Sequence, residues 1–181
     1  KGAFEGLDIA MMVHPGRYNA AVTRLLACQN LDVEFFGRAA HAAARPAEGI
    51  NALEAMIQSF NAVNSLRQHI KEGARIHGII TDGGQAPNIV PEHTAGSFIV
   101  RADDDEYLDE LKGRVLSCFI AAAMATRARL ESRWGEVRYA PLRNNMTLAR
   151  LLKKNLESLG RKVLLHDPSP SFGSSDMGNV S

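Results

Sequence analysis

The chain has 181 residues and a formal net charge of +1 at pH 7, from 21 basic and 20 acidic side chains. That length suits one or two domains with a real core, and scattered, balanced charge argues against a nucleic-acid binder, which needs a basic patch. No apolar run of about eighteen residues is present to span a membrane, no signal peptide is visible, and Cys28 and Cys118 read as free buried thiols of a cytoplasmic protein, not as a disulfide framework.

In chain order, Leu7 to Val13 is an apolar run bounded by glycine and proline, which reads as a buried strand. His14 closes it, at the strand end where open α/β sheets bind ligands. By pattern alone such a histidine is hydrogen-bonded to a neighbouring loop. Residues 17–30 read as an irregular connector. A strand follows over Leu31–Phe36, where Leu31, Val33 and Phe35 alternate with Asp32, Glu34 and Phe36.

A turn carrying His41 among alanines then leads to a helix expected over about 47–71. Pro46 suits its first turn, and Ile50, Leu53, Ile57, Phe60, Val63, Leu66 and Ile70 form its apolar stripe. Strands are expected over about 75–80 and 94–101, joined by a turn-rich loop. On the second of these Phe98 and Val100 share one side. Acidic residues 103–106 suit a helix N-terminus, and a helix over about 105–127 buries Leu108, Leu111, Val115, Cys118, Phe119 and Ala122. A fourth strand covers about 129–134. The order over residues 31–140 is therefore strand, helix, strand, strand, helix, strand: an α+β, ferredoxin-like βαββαβ unit with four antiparallel strands and both helices on one face.

After Pro141 the composition shifts. Asn144 and Asn145 can cap a helix with Leu148, Leu151, Leu152, Leu156 and Leu159 on its apolar side, ended by Gly160. A short strand over 162–166 follows, and a loop opens at Pro168-Ser169-Pro170-Ser171-Phe172. Lys1 and the glycine- and serine-rich residues 173–181 suggest a piece of a longer protein. His69, His77, His93 and His166 take no role, and Trp134 packs.

The stretch Gly37-Arg38-Ala39-Ala40-His41-Ala42-Ala43-Ala44-Arg45-Pro46, followed by Gly49-Ile50-Asn51-Ala52, resembles the lid-domain signature of the dizinc metallopeptidase family M20. That family includes aminoacylases, aminobenzoyl-glutamate hydrolases and Xaa-Arg or β-alanyl-lysine dipeptidases. The resemblance extends to Gly83-Gly84-Gln85-Ala86-Pro87-Asn88-Ile89-Val90-Pro91 and to Gly173-Ser174-Ser175-Asp176, and it covers nearly the whole chain. It implies that residues 31–140 are a lid that dimerises with a second copy, inserted in a partial α/β zinc-peptidase domain made of residues 1–30 and 141–181.

What the resemblance implies for the residues can be set beside their plain readings. His14 would ligate one of two zinc ions, with manganese or cobalt as alternatives. His41, otherwise a surface histidine, would donate to the oxyanion in the partner's active site. Asn88, otherwise a turn residue, and Arg101, otherwise a solvated strand residue, would hold the substrate. A guanidinium can grip a carboxylate in two places. Asp176 would orient a ligand or contact the substrate, or lie on a flexible end. The expected activity of the intact protein is zinc-dependent hydrolysis of an amide in an N-acyl amino acid or dipeptide. Most metal ligands and the catalytic glutamate would lie outside the 181 residues, leaving this chain inactive alone. The alternative is a non-catalytic ferredoxin-like module for dimerisation or small-ligand binding.

Overall fold

Two-residue alternation and side-chain capping account for most elements of the chain. In the computed structural model, which describes residues 2, 5–169 and 173–181, they run as β1 (Ala20–Val22), β2 (Ala27–Phe36), a 3-10 turn (Pro46–Glu48), α1 (Ala52–Arg67), β3 (Arg75–Asp82), β4 (His93–Ala102), α2 (Asp105–Thr126), β5 (Arg129–Tyr139), α3 (Met146–Ser158), β6 (Leu164–His166) and a last 3-10 turn (Asp176–Asn179). The chain divides into two compact units, residues 28–138 and residues 1–27 with 139–181.

The 28–138 unit is a four-stranded antiparallel sheet in the order β3-β4-β2-β5 with two helices, the expected ferredoxin-like arrangement. Along β4, Thr94, Gly96, Phe98, Val100 and Ala102 are buried and the residues between them are half-exposed. Phe98 meets Phe60 of α1 at 5.1 Å and Phe119 of α2 at 4.9 Å between ring centroids. Both helices therefore cover the Phe98 face. Gly78 pairs with Phe98 across β3 and β4, and a Cβ there would stand 2.3 Å from the ring. Only a glycine leaves Phe98 its place.

Tertiary pairing lengthens two strands beyond their patterns. β2 begins at Ala27, not Leu31, and β5 reaches Tyr139 instead of stopping near Trp134. The Gln29 side chain donates to the Gly135 carbonyl at 2.7 Å, which ties the early part of β2 to β5. The expected irregular connector over residues 17–30 thus contains β1 and the start of β2.

α1 departs further from its expected form. Ile50 is drawn into a backbone bridge with Arg38, so the helix starts only at Ala52, where Asn51 accepts from the Glu54 N–H at 3.1 Å. Its buried residues are Ala52, Ala55, Met56, Ser59 and Val63. Of the expected stripe only Val63 lies in this seam; Leu53, Phe60 and Leu66 are half-buried beside it, and Ile57 is 39% exposed. Small side chains allow closer packing than leucine or isoleucine would, so the alanine side faces inward. α2 follows its expectation except at Cys118: Asp104 accepts from the Tyr107 N–H at 2.7 Å, and Leu108, Leu111, Val115, Phe119 and Ala122 are buried, whereas Cys118 at the margin of the stripe is half-buried and only Cys28 is a buried thiol.

In the other unit, β1 and β6 pair in parallel, Ala20 with Leu164 and Val22 with His166, and α3 packs on both. Asn145 caps α3, accepting from Thr147 and Leu148 N–H groups, and Gly160 takes the left-handed turn that ends it, at φ 75°. Leu159 lies outside the helix and is 78% exposed. The expected buried strand over Leu7–Val13 does not form. That stretch is irregular and exposed, Val13 to 95%. A strand needs a neighbour to take its backbone hydrogen bonds, and among the described residues β1 and β6 pair only with each other. Pro170, Ser171 and Phe172 of the expected final loop lie outside the described residues. No described helix is long and apolar enough to cross a membrane.

Candidate functional site

The turn bearing His41 leaves β2 through Gly37. Its N–H donates to the Glu92 carbonyl at 2.7 Å, and a Cβ on it would lie 2.0 Å from the Ile50 carbonyl oxygen. Any other residue would force the turn off the sheet. Arg38 and Ile50 then exchange two backbone hydrogen bonds of 2.9 and 3.0 Å. Further out, Val90 N–H donates to Ala40 O at 2.9 Å and Ala42 N–H to Asn88 O at 3.0 Å, setting His41 opposite Ile89. The His41 turn and the loop of residues 83–92 are thus stitched together. The structure brings His41 and Asn88, both exposed, to neighbouring positions.

The His41 ring is oriented by its own backbone. Nδ1 accepts from the Ala43 N–H at 3.3 Å and the Ala44 N–H at 3.1 Å. A ring nitrogen that accepts cannot carry hydrogen, so the hydrogen of the neutral ring sits on Nε2. His41 therefore presents an exposed N–H donor, the form that oxyanion stabilisation requires.

Arg101 is elsewhere. It lies on the sheet face away from the helices, next to the last residue of β4, and its Nε donates to His77 Nε2 at 3.4 Å. His77 is held below the ordinary histidine pKa by burial first, then by the Arg101 and Arg67 charges. His93, where β4 leaves the 83–92 loop, is eight residues from Arg101. At about 3.3 Å per residue that separates the two by roughly 26 Å. His41 and Asn88 share one end of the sheet and Arg101 marks the other.

Sequence reading passed over His93. Its Nδ1 lies 2.8 Å from Asp82 Oδ2 and its Nε2 2.9 Å from Glu34 Oε2. The hydrogen bond to Glu34, then that to Asp82, raises its pKa above the ordinary value. Asp82 Oδ1 also accepts from the Gly84 N–H at 3.0 Å. That bond first, then the one from His93, lowers the Asp82 pKa. Such a trio spans three strands, so only the exposed positions of Glu34 and Asp82 could have hinted at it.

The remaining candidates lie in the other unit. His14 sits in the irregular exposed stretch, not at a strand end. Its Nδ1 donates to the Pro15 carbonyl at 2.8 Å, which leaves the lone pair of the neutral ring on Nε2. A backbone carbonyl on one nitrogen is the support a metal-ligating histidine commonly has on its other nitrogen. His14 fits one ligand position. Among the described residues, however, no three His, Cys, Asp or Glu side chains converge on a metal position, so these residues do not by themselves make a zinc centre. Asp176 is exposed at the start of the last 3-10 turn, with Ser175 Oγ 3.1 Å from its Oδ1.

Comparison with known proteins agrees with this architecture. Residues 29–126 match the family model for a peptidase dimerisation domain of M20 peptidases. The chain is 38% identical to Xaa-Arg dipeptidase of Mus musculus over 99% of its own length and 42% of that protein's. It is 31% identical to a p-aminobenzoyl-glutamate hydrolase polypeptide of Escherichia coli K12 over 98% of its length and 35% of that protein's. It thus spans less than half of these relatives. Among solved structures, the aminobenzoyl-glutamate utilization protein from Klebsiella pneumoniae superposes with a TM-score of 0.67 at 20% identity, covering 87% of this chain and 42% of that one. A hydantoinase/carbamoylase family amidase from Burkholderia vietnamiensis gives 0.71 at 15% identity, covering 86% and 37%. These two likenesses speak for the fold. The sequence matches go further: the chain belongs to the M20 peptidase family and carries that family's dimerisation domain.

Proposed function

We propose that the intact protein is a metal-dependent amidohydrolase or dipeptidase, and that residues 31–140 are its lid, inserted in a catalytic domain to which residues 1–30 and 141–181 belong. Its substrate is an N-acyl amino acid or dipeptide with a free carboxylate next to the scissile amide, in line with the names of the relatives. A cytoplasmic location fits this metabolism. When bound, a zinc pair (or manganese or cobalt) would activate water and polarise the amide carbonyl. His14 would be one of its ligands.

The lid's own residues then have separable tasks. His41 Nε2–H donates to the carbonyl oxygen as negative charge develops there. Asn88 holds the substrate amide, and Arg101 grips the carboxylate through paired N–H donors. Asp176 contacts the substrate or orients a ligand.

The observation that carries this reading is the separation along β4. The span of roughly 26 Å from His93 to Arg101 far exceeds a dipeptide, which argues that His41, at the His93 end, and Arg101 of one copy do not meet on one substrate. A second copy resolves the distance. β3 is an edge strand with Ile79 64% exposed, whereas the other edge, β5, carries Arg129, Glu131 and Arg133, charges that discourage pairing. Antiparallel two-fold pairing along β3 would set the His41 end of each sheet beside the Arg101 end of its partner.

Mixing two inactive full-length variants tests this. His41→Ala and Arg101→Ala homodimers are each impaired, but random exchange places one intact site in half of the dimers. Recovery of up to about a quarter of wild-type turnover is expected. No recovery, with heterodimers shown to form, would mean that both residues serve the same copy.

A further inference from the structure

The loop of residues 83–92 carries Asn88 and braces the His41 turn, yet most of its members are exposed and none is buried. Something must hold its base. Asp82 is the last residue of β3 and His93 the first of β4, so the bond between their side chains closes the loop where it leaves the sheet. Glu34 extends the tie to β2, two residues before that strand ends and the chain turns toward His41. The Phe36 ring lies 5.0 Å from the imidazole, and the Arg129 guanidinium of β5 stands 4.2 Å from the centroid of the Phe36 ring. One side chain thus joins the bases of both functional loops across β3, β4 and β2.

We propose that His93, hydrogen-bonded on both ring nitrogens to Asp82 and Glu34, is the positioning residue that clamps the 83–92 loop and sets Asn88 beside His41. The clamp is tightest when both nitrogens carry hydrogen, because ionised carboxylates only accept. A neutral ring leaves one lone pair facing a carboxylate and releases one bond. The groups facing the ring are Asp82 from β3, Glu34 from β2 and, by way of Phe36, Arg129 from β5; the two carboxylates in direct contact outweigh the single cation. A histidine whose folded pKa is raised contributes stability that is complete below its unfolded value near 6.5 and fades as pH climbs through the folded value. The loop therefore loosens as pH rises through the folded-state titration of His93. The importance of Asn88 rests on the function proposed above; the clamp does not.

The test uses the 181-residue chain and needs no substrate. Imidazole resonances of His93 are titrated by NMR, and amide exchange is followed at residues 84–92 with intrinsic pH effects divided out. We expect His93 to titrate above the ordinary histidine value, loop protection to fall with the same midpoint, and Glu34→Gln to move both midpoints down together. His93→Gln should raise loop exchange about tenfold and remove its pH dependence, while the core amides of β4 stay protected. Titration of His93 at or below the ordinary value, or a loop whose exchange ignores that titration, overturns the proposal. If the clamp holds but Asn88→Ala leaves hydrolysis by the full-length enzyme unchanged, the clamp stands and the substrate role of Asn88 fails.

Discussion

The two faces of the 28–138 sheet are made from the same strands and differ in almost everything else. One is covered by α1 and α2 and filled by Phe35, Phe98 and Phe119 with Leu31, Val33 and Val100, all nearly inaccessible to solvent. The other carries Asp32, Glu34, His93, Ser97, Arg101 and Arg133, joined by pairs such as Ser97 Oγ to Asp32 at 2.9 Å and Arg133 to Asp32 at 3.7 Å. Alternation puts consecutive residues on opposite faces. A single strand can therefore supply both the energy that holds the fold and the groups proposed to act on a ligand, without the two demands competing for a position.

If that division is right, substitutions on the two faces should fail in different ways. The largest effect should come from Phe98→Ala, which removes a ring packed between both helices. We expect a loss of about 3–5 kcal/mol of stability, measured by urea unfolding of the 181-residue chain. A loss below about 1 kcal/mol would mean the covered face is not the principal source of stability. Next come the residues with proposed roles, read in the full-length protein. His41→Ala should lower kcat roughly 10²–10³-fold with little change in unfolding. Arg101→Ala should instead raise KM about tenfold or more for free-carboxylate substrates, and far less for carboxyl-blocked ones. Equal losses on both substrates would remove Arg101 from carboxylate binding. The smallest effect should be Arg133→Ala. Its partner is exposed and the contact long, so stability should change by no more than about 0.5 kcal/mol. A larger change would show that the open face contributes to folding after all.

Much of this division is legible in the order of residues alone. β4 shows the alternation that buries Phe98 and Val100, and α2 shows the stripe from Leu108 to Ala122. The caps at Asp104 and Asn145 fall within the clusters of capping residues that announced them. α1 misled because its large apolar residues outweigh its alanines in any periodicity, although the alanine side packs more closely. Leu7–Val13 misled because composition says a segment is apolar but not whether a strand lies beside it. His41 and Asn88 stood out by motif. That they are neighbours did not, since 47 positions of chain separate them and only the pairing of Ala42 with Asn88 and of Val90 with Ala40 closes the gap.

The sequence by itself determined the fold class, the family and the order of elements over residues 31–140, because each rests on periodicities and short motifs written in neighbouring residues. Tertiary structure alone decided which side of α1 turns inward and which nitrogen of His41 bears hydrogen. It also decided that His93 sits between two carboxylates and that Arg101 lies at the far end of the sheet from His41. The His41 tautomer follows from how its own turn folds back on the ring; the others depend on strand register and on groups brought together from distant positions. A chain's local pattern can favour such meetings, but only the closed fold fixes the distances at which they occur.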